Sequence, residues 1–134
     1  MDHLPIFINI RKKPCIVIGG GDIALRKINL LLKAKAKVDC LSPSFSRGIK
    51  NLSKDGHITL INKSFDQTDI KDYSIIIAAT DDSSVNSSIS AIAQVKKIPV
   101  NVVDSPELSS FIMPSIVDRS PLIIAVSSSG KAPV

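Results

Sequence analysis

Two features of the chain could carry chemistry: the run Gly19-Gly20-Gly21-Asp22-Ile23-Ala24, and Asp104, which ends an apolar stretch. The glycines follow Cys15-Ile16-Val17-Ile18 and read as G-x-G-x-x-A between a buried strand and a helix. Gly19 permits a tight turn. Gly21 lacks a side chain, so a pyrophosphate can approach the backbone. Ala24 is small enough for the helix to pack on the strand. The helix start then offers unpaired N–H groups and a positive dipole end to phosphate. Glycine-rich turns also arise for structural reasons alone. The strand before and the helix after favour a dinucleotide site, with Asp22 and Ile23 opening the helix.

A dinucleotide fingerprint usually has an acid about twenty residues after the glycines, for the ribose hydroxyls. That place holds Leu41-Ser42-Pro43-Ser44. The ribose must then be held by backbone groups or a serine hydroxyl. Arg47 and Lys50 lie nearby and could suit a 2′-phosphate, so these residues alone leave NAD and NADP both open.

Asp104 closes Val100-Asn101-Val102-Val103 and would face the cofactor crevice. A carboxylate there could take or give a proton. It could equally cap the turn at Ser105-Pro106. Asp81 and Asp82 read as helix-capping residues. His3 and His57 make neither a metal-ligand pattern nor a Ser-His-Asp arrangement.

The elements that must position these groups follow from apolar periodicity. Strands are predicted at Cys15 to Ile18, Lys37 to Leu41, Ile58 to Ile61, Ser74 to Ala79 and Val100 to Asp104. Helices are predicted from Asp22 to about Lys33, with Ile23, Ala24, Leu30 and Leu31 available to face the sheet, and from about Ser83 to Lys96. A shorter helix runs from an N-cap at Ser44 towards Leu52, and a helical turn covers Asp69 to Asp72. The fold class is α/β: a Rossmann-like, doubly wound parallel sheet. After Asp104 the grammar changes. Phe111 to Val117 and Leu122 to Ser127 read as an antiparallel pair with no helix between them. Such a hairpin would expose an apolar face and free edges. This end is therefore expected to pair with another chain or to belong to a longer protein.

The 134 residues suit a small α/β protein, and with 44% hydrophobic but only 4% aromatic residues the core must be mainly Ile, Val, Leu and Ala. No apolar run reaches the roughly 18 residues of a membrane span, and no signal peptide is evident, so a cytoplasmic location is expected. Cys15 and Cys40 fall in strands and read as buried free thiols. The formal net charge of +5 could attract an anionic partner, but no basic segment is interleaved with aromatics, which argues against nucleic acid.

Five stretches together resemble the N-terminal module of siroheme synthase, the precorrin-2 dehydrogenase and sirohydrochlorin ferrochelatase family. They are residues 1–7, Gly19 to Asp22, Ala78 to Asp82, Asn101 to Asp104, and Ser110 to Leu122 (SFIMPSIVDRSPL). The last is specific, because a generic Rossmann domain has no reason to carry it. The resemblance implies a Rossmann domain over 1–112 and a truncated start of a β-rich dimerisation and tetrapyrrole-binding region over 113–134. It implies that precorrin-2 is oxidised to sirohydrochlorin with NAD, and that ferrous iron is then inserted as substrate to give siroheme. Both tetrapyrroles bear many carboxylates, which gives the positive charge a purpose. The resemblance places Gly19, Gly21, Asp22 and Ile23 on the cofactor and Pro43 and Ser44 on its adenosine side. It makes Asp104 the carboxylate of both reactions and Ser128 a phosphorylation site. It also implies a homodimer and no resident metal. Family modules continue past Ala132-Pro133-Val134, and fused members add a methyltransferase domain, so methyltransferase activity is not expected. The other readings are an NAD-binding regulatory module without chemistry and an inactive remnant.

Overall fold

A computed structural model describes residues 1–128. The terminal residues 129–134, which close the predicted dimerisation segment, lie outside the described residues. The elements run β1 (Pro14–Ile18), α1 (Asp22–Lys33), β2 (Lys37–Ser42), α2 (Arg47–Lys54), β3 (Ile58–Asn62), β4 (Ile75–Ala78), α3 (Ser83–Val95), β5 (Val100–Val102), β6 (Ser115–Arg119) and β7 (Leu122–Val126). Single 3₁₀ turns occupy Gln67–Asp69 and Pro106–Leu108. Five strands form one parallel sheet in the order β3-β2-β1-β4-β5. The chain reverses its direction of travel between β1 and β4. That switch point is where open α/β sheets bind ligands. The expected Rossmann-like architecture is therefore present, and so is the antiparallel pair β6–β7.

The apolar runs explain the sheet. Cys15 to Ile18 and Ile75 to Ala78 are buried along their whole length, as central strands covered on both faces must be. The helix α1 buries Ala24, Ile28 and Leu31, spaced four and three residues apart, along one stripe. Ile23, expected against the sheet, is 39% exposed. One residue of helix rotates it about 100° away from Ala24.

Several boundaries differ from expectation, among them that of β6, which starts at Ser115 rather than Phe111 and takes in Asp118 and Arg119. The N-cap of α2 is Ser46, not Ser44: Ser46 Oγ accepts from Ile49 N–H at 3.4 Å. The Ser46 N–H is bonded to the Gly20 carbonyl at 2.7 Å, which fixes the chain just before the helix. The helical turn lies at Gln67–Asp69 rather than Asp69 to Asp72, because the Asp66 and Asp69 carboxylates cap it reciprocally. The strand β5 ends at Val102, and Val103 and Asp104 form a turn instead of its last two rungs.

Helices α1 and α3 both end on a lysine in the left-handed region, Lys35 at φ 65° and Lys97 at φ 58°. After α3, Ile98 N–H reaches back to the Ala93 carbonyl at 2.9 Å and Lys97 N–H to that of Gln94 at 3.1 Å. Glycine is the usual residue there, because a Cβ is unfavourable at positive φ. Lys97→Gly is expected to raise the unfolding free energy by about 0.5–1 kcal/mol in urea titrations. A fall in stability contradicts the helix-end geometry.

Candidate dinucleotide site

A cleft of about 820 Å³ opens at the carboxyl ends of β1, β2 and β4. Its walls are the turn Gly19 to Gly21, the loop Ser42 to Ser46, Ser64-Phe65, and Thr80 to Asp82 with Val85. Four predicted site residues, Gly19, Gly21, Pro43 and Ser44, thus line one cavity. Asp22 and Ile23 follow directly in the first turn of α1 and are exposed rather than lining it. Asp104 also lies outside the lining. It follows β5, two strands from β1, or about 10 Å across the sheet.

The three glycines have different reasons to be glycine. Gly19 has φ +140°, and a Cβ on it would sit 2.2 Å from the Ala79 carbonyl oxygen. A Cβ on Gly20 would sit 1.9 Å from the Ser44 oxygen and 2.7 Å from Ser42 Oγ. A Cβ on Gly21 would meet no atom within 4 Å. The protein therefore leaves open the space over Gly21, where a diphosphate would approach. The first intrahelical bond of α1 runs from Leu25 N–H to the Gly21 carbonyl at 3.0 Å. The amides of Asp22, Ile23 and Ala24 thus have no acceptor within the helix. An open approach, free amides and a cleft of ligand size fit a dinucleotide.

Groups without a role in the sequence reading hold this cradle. Gly20 is one: its position is nominally free in G-x-G, yet the Ser44 carbonyl excludes any side chain. Cys40 is another. Its thiol donates to the Gly19 carbonyl at 3.2 Å from full burial. Asn62 is a third: Nδ2 donates to the carbonyls of Ser42 and Pro43 at 3.2 and 3.0 Å, pinning the loop after β2. A glycine at a nominally free motif position was the one available signal.

At the end of β4, Asp82 caps α3 as expected, accepting from Ser84 and Val85 N–H at 2.9 and 3.2 Å, whereas Asp81, expected to share that role, makes no capping bond. The Ser84 hydroxyl, followed by these amides, holds its carboxyl below the usual range. Thr80 Oγ1 accepts from Asp82 N–H, and Asn86 Nδ2 donates to the Thr80 carbonyl at 3.0 Å. Asp104 occupies the third position of the turn Val102–Ser105 at φ 59°. Positive φ there is the type II pattern, which normally selects glycine or asparagine.

The sequence model of a family described as NAD(P)-binding matches residues 6–115. The chain belongs to that NAD(P)-binding family. It is 55% identical over 134 residues to the siroheme synthase of Ruthia magnifica subsp. Calyptogena magnifica. It is 50% identical over 135 residues to the siroheme synthase of Nitrosomonas europaea. Each alignment covers all of this chain and 28% of the relative, so the chain spans little more than a quarter of their length. The resemblance read from the motifs is thus matched by relatives along the whole chain. The solved structure of SirC, a precorrin-2 dehydrogenase, has a TM-score of 0.84 to this chain at 23% identity. That likeness of fold covers 98% of this chain and 64% of SirC, and so extends past the NAD(P)-binding family's residues into the hairpin.

Two outcomes test the site. Gly20→Ala is expected to lower the melting temperature sharply. Gly21→Val is expected to leave it nearly unchanged while weakening NAD binding by calorimetry at least about 100-fold. Equal NAD affinity in Gly21→Val and the parent contradicts the cradle. Burial also pushes the thiols up, Cys15 to about 11 and Cys40 to about 12, from 9.0. The unfolded thiols ionise first, so their contribution to stability is full below pH 9 and declines between pH 9 and about 11 to 12. Stability of the parent should fall over that window more than stability of Cys40→Ala. Equal slopes contradict the buried-thiol assignment.

Proposed function

We propose that this chain is the NAD-dependent precorrin-2 dehydrogenase part of a siroheme synthase, with sirohydrochlorin ferrochelatase activity at the same site. The observation that carries this is the open cradle over Gly21 in a chain whose relatives along its whole length are siroheme synthases. Bound NAD supplies the hydride acceptor. The main-chain amides of Gly21, Asp22, Ile23 and Ala24 would hold its diphosphate, while Pro43 and Ser44 would bound the adenosine side. Asp104 accepts the proton that leaves precorrin-2 as the hydride departs, so the two hydrogens removed are accounted for as hydride and proton. In the second reaction ferrous iron is a substrate, and the same carboxylate assists loss of the pyrrole protons. Among the described residues, no group of three or more His, Cys, Asp or Glu side chains comes together as a metal site.

Residues 1–112 form the cofactor domain in this reading, and the hairpin β6–β7 begins the dimerisation region. The apolar exposure of that hairpin supports a homodimer: Leu122 and Val126 are 61% and 63% exposed, and Ile116, Val117, Ile123 and Ile124 are also exposed. Tetrapyrrole substrates rich in carboxylates suit the net charge of +5. Ser128, exposed after β7, is the phosphorylation site in this reading. A phosphate there would repel an anionic substrate. No helix among the described residues is long and apolar enough to cross a membrane, and a cytoplasmic location is part of the same proposal.

Anaerobic incubation with precorrin-2 and NAD is expected to yield reduced nicotinamide and sirohydrochlorin. Asp104→Ala is expected to lose at least about 100-fold in kcat with NAD affinity within about twofold of the parent. Nucleotide binding by the parent with no reduction of nicotinamide contradicts the enzyme and leaves a regulatory module or an inactive remnant.

A further inference from the structure

The turn that carries Asp104 has an unusual support. The Asp104 carboxylate makes no hydrogen bond or ion pair among the described residues, and its side chain is exposed. The backbone of the turn alone therefore aims it. That backbone holds a φ of 59°, which is unfavourable for a residue with a Cβ. Left to itself, the turn would relax.

One hydroxyl opposes that relaxation. Ser109 Oγ accepts from Val102 N–H at 2.8 Å and donates to the Ser105 carbonyl at 2.9 Å, with the Val102 carbonyl a longer acceptor at 3.2 Å. Ser105 N–H closes the turn onto the Val102 carbonyl at 3.1 Å. Both ends of the four-residue turn thus meet a single side chain. On the opposite side, Val103 N–H bonds to the Ala78 carbonyl of β4 at 3.0 Å, tying the turn to the sheet. The neighbouring Ser110 provides an internal comparison. It satisfies Val100 N–H at 2.9 Å on the same edge of β5 but does not touch the turn. Loss of an edge bond and loss of the turn can therefore be separated.

We propose that Ser109 is a positioning residue for the Asp104 carboxylate, acting through the Val102–Ser105 turn. The proposal rests on the reading of Asp104 as the acid–base group. Ser109 touches neither cofactor nor substrate. It fixes where the proton acceptor stands.

The test compares the full chain with Ser109→Ala, Ser110→Ala, Asp104→Asn and the double variant Ser109→Ala/Asp104→Asn. Precorrin-2 oxidation, NAD binding by calorimetry and amide exchange are measured on each. Ser109→Ala is expected to lower kcat about tenfold or more, with KM for precorrin-2 and Kd for NAD within about twofold. Ser110→Ala is expected to keep kcat within about twofold, and the double variant to match Asp104→Asn, because the two residues act as one unit. Amide exchange at Val102 and Ser105 is expected to quicken about tenfold in Ser109→Ala while that of β1 is unchanged. Unchanged exchange at those two amides overturns the proposal whatever the turnover. So does a kcat for Ser109→Ala within twofold of the parent, an equal loss in Ser110→Ala, or a further loss in the double variant. Full turnover by Asp104→Asn overturns the acid–base reading itself, which is a separate failure from any of these.

Discussion

Main-chain crowding at the end of β1 is the constraint on which the site depends. Gly19 is pressed against the Ala79 carbonyl after β4, and Gly20 against the Ser44 carbonyl after β2. Neither contact leaves room for a side chain. The turn is therefore wedged between the two neighbouring strands of the switch point. Its direction is set by backbone on either side, with the Cys40 thiol and the Ser46 amide tying down the Gly19 and Gly20 carbonyls. The consequence appears one residue later. Gly21 and the first turn of α1 emerge with open space above them and amides that the helix cannot use. The open approach over Gly21 is thus a by-product of close packing, and an anion held there by main-chain amides would need no basic side chain.

The β5 edge of the sheet, outside the cleft lining, is built on a different principle. The strand β5 is the edge of the sheet, and its outward N–H groups at Val100 and Val102 would be open to another chain. Ser110 and Ser109 satisfy them with hydroxyls. Asn101 Nδ2 binds the Phe111 carbonyl at 3.1 Å, and Phe111 and Met113 pack on the core beside Val103 and Ala79. The segment after Asp104 is therefore bound to the sheet as a substitute strand made with side chains. That arrangement joins the Asp104 turn to the parallel sheet and delivers the chain into the apolar hairpin.

Much of this was legible from residue types. The strands β1 and β4 are near-continuous apolar runs, and α1 lies between a glycine turn and a basic last turn, so their identity and parallel order followed from pattern. The hairpin was legible because two extended segments flank Asp118-Arg119-Ser120-Pro121 with no helical period between them. Local signals failed where a distant contact decided the outcome. Ser44 and Ser46 are equally good caps by type, and the Gly20 carbonyl selects Ser46. Val103 and Asp104 read as strand, but the hydroxyl of Ser109, five residues beyond Asp104, draws the chain into a turn. Gly20 was hidden because the motif treats it as free. Its need for glycine comes from a loop more than twenty residues away.

The most direct measurement of the central claim is a titration of the isotope-labelled protein with oxidised NAD, followed by amide NMR. The account predicts saturable shifts that are largest at the amides of Gly21, Asp22 and Ile23, with smaller ones at Ser44 and Thr80. Binding that leaves those three amides unshifted, or no saturable shift at any amide around the cleft, would contradict a diphosphate held by the main chain at the start of α1.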